Sequence, residues 1–269
     1  GNAATADLNL NGTVYTTGGA TTYASAGTDL GGASPTFTTS ADTITFGTAD
    51  VKVANGTLTV NSVGGLIDFE GSILGTSDEV LVLNANGSGT DAASANEKVI
   101  VAAIGTGNQI HSVSITGRDG ITLEGNITTS NKASNNVLFT GPVSINAATV
   151  AIDTDATGND GTVTFSSTID SATGTSRNLD IVSATGNVTV TGAIGATTAL
   201  ASLDINQAGG DGDITLTSNI GADASNPGVT GVTRIGNTAT ADLNLDGTVY
   251  STGGATTFTA VSGGTIDLG

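Results

Sequence analysis

The sequence contains no cysteine, no methionine and no tryptophan. Without cysteine there is no disulfide framework, no thiol nucleophile and no cysteine-based zinc site. Bases are nearly as scarce: six Lys and Arg stand against 24 Asp and Glu, a net charge of −18. That balance excludes a basic patch for nucleic acid or for an anionic membrane surface. Aromatics are limited to three Tyr and six Phe, too few for a core of large side chains. No run of about 18 apolar residues is present, so the chain is not expected to be membrane-embedded. A single histidine, His111, sits in NQIHSVSI, and no G-x-S-x-G elbow accompanies it. A Ser–His–Asp triad and a His-rich metal site are therefore not expected.

What is present is glycine, 40 residues of it, among Thr, Ala, Asn, Asp, Ser and the aliphatics. β-Branched residues alternating with turn formers predict short strands joined by tight turns. The aliphatics are regularly spaced, which separates the chain from a disordered Gly- and Ser-rich segment. An all-β fold with a core of thin, stacked aliphatic layers follows.

Residues 1–23, GNAATADLNLNGTVYTTGGATTY, return at 236–258 as GNTATADLNLDGTVYSTGGATTF with 19 of 23 positions identical. The whole of 1–269 is read as one continuous solenoid segment in which 1–235 is one unit of a tandem array and 236–269 begins the next. The chain is accordingly read as an excerpt of a longer one. Inside the unit a seven-residue module (apolar, any, apolar, any, small, any, Ile or Val) occurs at 8–14, 67–73, 121–127, 163–169, 188–194, 214–220 and 243–249. Its last three spacings match single coils of roughly 25–30 residues, and its two longest match two coils each. The first and third module positions point inward, the small fifth position turns a corner, and the seventh re-enters the core. Strands such as ITF (44–46), VLVL (80–83) and LDI (179–181, 203–205) fill the other sides. They are too short to stand alone and require the next coil at about 4.8 Å, which gives a rod. An antiparallel sandwich is the competing arrangement of short alternating strands.

The stretches NLDIVSATGNVTVTGAIGATTALASLDINQAGGDGDITLTSNI and LNLDGTVYSTGGATTF resemble the repeats of filamentous-haemagglutinin-like giant surface adhesins of Gram-negative bacteria, and similar phrasing covers nearly the whole chain. The resemblance implies a right-handed parallel β-helix, export to the cell surface, and a role in attachment or biofilm structure.

Chemistry-bearing positions are few. Asp68, Asp180, Asp204, Asp213 and Asp267 lie at or beside the outward middle of apolar-x-apolar strands and read as solvated. No catalysis is expected from them. Two Gly-rich stretches offer oxygen ligands to calcium: DTDATGNDG with Asp153, Asp155 and Asp160, and GGDGD with Asp211 and Asp213. Neither matches an EF-hand or a nonapeptide calcium repeat, and an acidic turn is the plainer reading. No other cofactor is expected. The composite expectation is a non-enzymatic extracellular shaft or filament component whose partners are further repeats, copies of itself, or glycans or proteins at a cell surface. The alternative is a carbohydrate-binding or carbohydrate-cleaving β-helix.

Overall fold

The computed structural model describes residues 6–40, 42–76, 78–86, 96–156, 158–207 and 209–269. Thirty short strands, with no helix among the described residues, stack in parallel sheets as a solenoid of about ten turns. Each coil has three faces, numbered in the order in which the chain first visits them. Leu8–Asn9 opens the first face, Val14–Thr17 the second and Thr21–Tyr23 the third.

The second face is the backbone of the rod, an unbroken eleven-stranded sheet from Val14–Thr17 to Thr265–Asp267. The first and third faces continue wherever a strand shrinks to a single bridge. Ile73, Ile104 and Ile127 link the two parts of the first face, and Ile169, Ile194, Ile220 and Tyr250 extend the third. The only antiparallel strand pair described is the small hairpin of Asp155–Ala156 with Asn159–Asp160.

Period-two alternation decides which side chains enter. In Leu58 and Val60, Leu81 and Leu83, Val113 and Ile115, each inward residue is buried and its neighbour is not. Register places like on like between coils. Leu81 lies over Leu58 and under Val113, and Phe139 lies over Ile115 and under Phe165. Each fully buried aliphatic contributes about 1.5–3 kcal/mol, so the core gains through number rather than size. The few aromatics form stacks. Tyr15 lies on Phe37 with ring centroids 4.6 Å apart, and Phe46 lies on Phe69 at 4.3 Å, both nearly parallel.

Coil length is less regular than spacing alone predicts. Leu8 stands beside Thr28, 20 residues on, whereas Val80 stands beside Ser112, 32 residues on. Loops absorb the difference while the strands keep register.

The seven-residue module marks corners, not one fixed side of the coil. It leaves the first face at 8–14, the third at 67–73 and 121–127, and the second in the four later copies. Its irregular spacings then become whole numbers of faces. Ile67 to Ile121 is two coils, and the steps Val163, Val188, Ile214 and Leu243 are one coil each. Leu8 to Ile67 is not the two coils that spacing predicts but two coils and two further faces.

Two details of the module are corrected. The seventh residue is buried at Ile73, Ile127, Ile169, Ile194 and Ile220, but Val14 is 68% exposed. In LNLNGTVY and LNLDGTVY the tyrosine takes the inward place, and Tyr250 bridges to Ile220. The corner holds one more residue there because the tyrosine hydroxyl accepts the N–H of Gly12, or of Gly247, at 2.7 Å. The small fifth residue answers to crowding between coils as well as to turning. A Cβ on Gly71 would lie 2.2 Å from the carbonyl oxygen of Ala49 in the coil beneath.

Candidate functional site

Outward-facing side chains form rows along the rod, because in-register parallel strands set equivalent positions one above another. On the first face Ala151, Asp180, Asp204 and Arg234 are successive partners. Arg234 Nη1 lies 3.2 Å from Asp204 Oδ2. Among the described residues, the strand partners of Asp180 are Ala151 and Asp204, neither of them a base. Burial, then the charges of Asp204 and Asp153, push the Asp180 carboxyl above the usual aspartate range. Asp153 is pushed the same way by burial, against a hydrogen bond from the Asp155 N–H. On the third face Asp68 is raised by burial and then by Glu70 and Glu124. The rod thus carries acid rows at spacings where like charges feel each other.

The calcium candidates are not gathered. Asp155 and Asp160 face each other across the antiparallel hairpin, and Asp153 Oδ1 accepts the Asp155 N–H at 2.9 Å. Asp160 Oδ2 accepts the hydroxyl of Thr185 at 2.6 Å. Asp213 Oδ1 accepts the N–H of Asp242 at 3.2 Å, and the carbonyl of Asp211 accepts the N–H of Ala241. The contacts of Asp160, Asp211 and Asp213 tie one coil to its neighbour, and those of Asp153 and Asp155 stay within one loop. Among the described residues no three Asp, Glu or His side chains come together to hold an ion. Thr157, inside the first candidate stretch, lies outside the described residues.

The same contacts reveal a device that spacing did not announce. The residue just before the first inward residue of the second-face strand reaches to the N–H of its counterpart in the following coil. Asn136 Oδ1 accepts from Thr162 at 2.9 Å, Asn187 Oδ1 from Asp213 at 2.9 Å, and Asp242 Oδ1 from Thr265 at 3.0 Å. A second polar stack is buried between the first and second faces. The Asn135 amide donates to the carbonyls of Ser130 and Thr154, and Asn206 Oδ1 accepts from the N–H and hydroxyl of Ser183. Asn, Asp, Ser and Thr are ordinary turn residues, so nothing in their order marks these as ladders.

Two buried acids were also missed. Glu97 is fully buried, with Arg118 Nε 2.6 Å from its Oε2 and Asp119 Oδ2 accepting its N–H. Glu79 is almost fully buried. Burial pushes its carboxyl up, but hydrogen bonds from the Thr76 hydroxyl and neighbouring N–H groups outweigh it and leave the value lowered. Arg118 and Asp119 reach Glu97 only because coils stack, whereas the groups that hold Glu79 lie in its own loop.

Concave surface is shallow and scattered. A cavity of about 290 Å³ on the third face is bordered by Lys98, Asp119, Pro142 and Asp170, without an aromatic ring for sugar stacking. Asp170 Oδ1 is already engaged by the N–H groups of Thr197 and Thr198. Another of about 440 Å³ lies against Tyr250 near the C-terminal end. His111 Nε2 meets the Ala133 carbonyl at 2.9 Å across one coil, a stacking contact like the others. Compared with known proteins, the chain matches no family model, no curated protein and no solved structure.

Proposed function

We propose that this protein is a mechanical element, the shaft of a bacterial surface adhesin or a strand of an extracellular filament. The observation that carries the reading is the eleven-stranded second face running through every coil. Each of its strands is hydrogen-bonded to the next, and the side-chain ladders beside it add a second set of bonds in the same direction. Load along the axis is shared by many parallel contacts, and Asn136, Asn187 and Asp242 hold neighbouring coils together. The strong negative charge keeps such rods apart and soluble. The near-repeat at 1–23 and 236–258 supplies the means of lengthening, since added units extend the same core.

Immunogold labelling of intact source cells with antibodies raised against the purified chain tests the location and form together. Labelling along thin projections outside the cell supports the proposal. Labelling confined to the interior of sectioned cells contradicts it.

A further inference from the structure

The two near-identical stretches do not occupy equivalent places. In the first, Leu8–Asn9 is on the first face, Val14–Thr17 on the second and Thr21–Tyr23 on the third. In the second, Asp242–Leu245 is on the second face, Tyr250 on the third and Thr256–Phe258 on the first. Leu8 to Leu243 is therefore nine coils and one further face. A unit of 235 residues enters the solenoid turned by one face relative to its predecessor.

This phase shift fixes which strand covers which when one unit follows another. In the first copy Thr28–Leu30 covers Leu8–Asn9, Thr36–Thr39 covers Val14–Thr17, and Ile44–Phe46 covers Thr21–Tyr23. Tyr15 thereby stacks on Phe37, and Tyr23 on Phe46 at 5.1 Å. In the second copy Thr265–Asp267, with the similar sequence TIDLG for TDLG, covers Asp242–Leu245. Among the described residues the covering stops there. Tyr250 and Phe258 meet each other edge to face at 5.9 Å and have no ring above them.

We infer that each further 235-residue unit of this repeat is turned by one face relative to the one before it, so that Tyr250 and Phe258 pair with a coil that has the sequence pattern of residues 32–46. Its Phe37 counterpart would seat over Tyr250 on the third face and its Phe46 counterpart over Phe258 on the first. A second copy of the chain cannot supply this segment, because its own Thr36–Thr39 and Ile44–Phe46 are already held between two coils. The inference rests on the shaft reading and adds a rotation to it. Features of one face, such as the Asp180 and Asp204 row, move to the next face in each unit and return after three. Acid then winds round the shaft instead of forming one strip.

Cross-linking of an extended chain tests this. Residues 32–69 are appended after Gly269, with Ser251→Cys and, in the appended copy, Thr38→Cys. Thr16 pairs with Thr38 in the first coil, and Ser251 stands where Thr16 stands. Neighbouring strands lie about 4.8 Å apart, within disulfide reach, and there is no native cysteine to interfere. The expected result is an intramolecular cross-link as the main species on oxidation, together with a larger drop in melting temperature from Tyr250→Ala in the extended chain than in the 269-residue chain. Cross-linking of the appended cysteine instead to Asp267→Cys would overturn the rotation and leave the shaft reading standing. An appended segment that is removed by mild protease without cross-linking would overturn both. Disulfide-linked dimers would overturn the inference in favour of a second copy at that end.

Discussion

Small residues at coil corners are held small by the coil beneath them. At Gly192 an added Cβ would lie 2.3 Å from the backbone carbonyl carbon of Ser167, a contact that only backbone movement can relieve. Gly192→Ala is expected to lower stability by about 1–3 kcal/mol, the ordinary range for overpacking, measured by urea unfolding. An unchanged midpoint would mean that the corner is looser than described. Glu97 gives a second residue-scale test. Removing the guanidinium by Arg118→Ala takes an ion-pair partner from a buried acid and is expected to reduce stability by about 3 kcal/mol. Adding Glu97→Gln to that variant removes the acid's charge and should recover part of the loss in the same assay. No recovery would show that the charge is not what matters. Neither contact could be read from the chain. Gly192 was visible as a small module residue, but its neighbour is a carbonyl from another coil, and Glu97 and Arg118 are ordinary polar letters until stacking joins them.

At the scale of the strand and its face, the acid rows make stability depend on pH. Asp68, Asp153 and Asp180 have carboxyl groups raised above the usual value, mainly by burial. The folded chain therefore binds these protons more tightly than the unfolded chain does. Between the ordinary aspartate value of about 4 and the raised folded values, stability increases as pH falls. Glu79 and Asp242 act in the opposite sense. Their lowered values stabilise the fold above the ordinary range, and that stabilisation is lost as pH drops through the folded values. The melting temperature is expected to rise as pH is lowered from 7 toward the ordinary aspartate value and to fall below about pH 4. Asp180→Asn should raise it at pH 7 and flatten the rise, as followed by circular dichroism. A melting temperature that only falls on acidification would contradict the row. The strands themselves were legible: ITF, VLVL and LDI all form where alternation placed them. Alternation carries that information because inward and outward positions differ in solvent exposure. The ladders of Asn136, Asn187 and Asp242 were not legible, because a turn residue that bonds within its own loop and one that bonds the next coil have the same letter.

At the scale of the whole molecule, the repeat, the solenoid and the approximate coil count were readable, and the phase was not. A linear spacing of 235 gives length along the chain. Converting it to nine coils and one face requires knowing that Leu8 and Leu243 lie on different sheets. The same conversion explains why the module's intervals looked irregular. It also makes extension quantitative, since every added unit should lengthen the rod by its coils alone. At about 4.8 Å per coil, one further 235-residue unit adds about 45 Å along the axis at constant width. Small-angle X-ray scattering, comparing the 269-residue chain with a chain carrying one more complete unit, measures that increment directly. The account predicts an unchanged cross-sectional radius and a gain of about 45 Å in maximum dimension. A thicker particle, or two bodies joined by a flexible link, would contradict it.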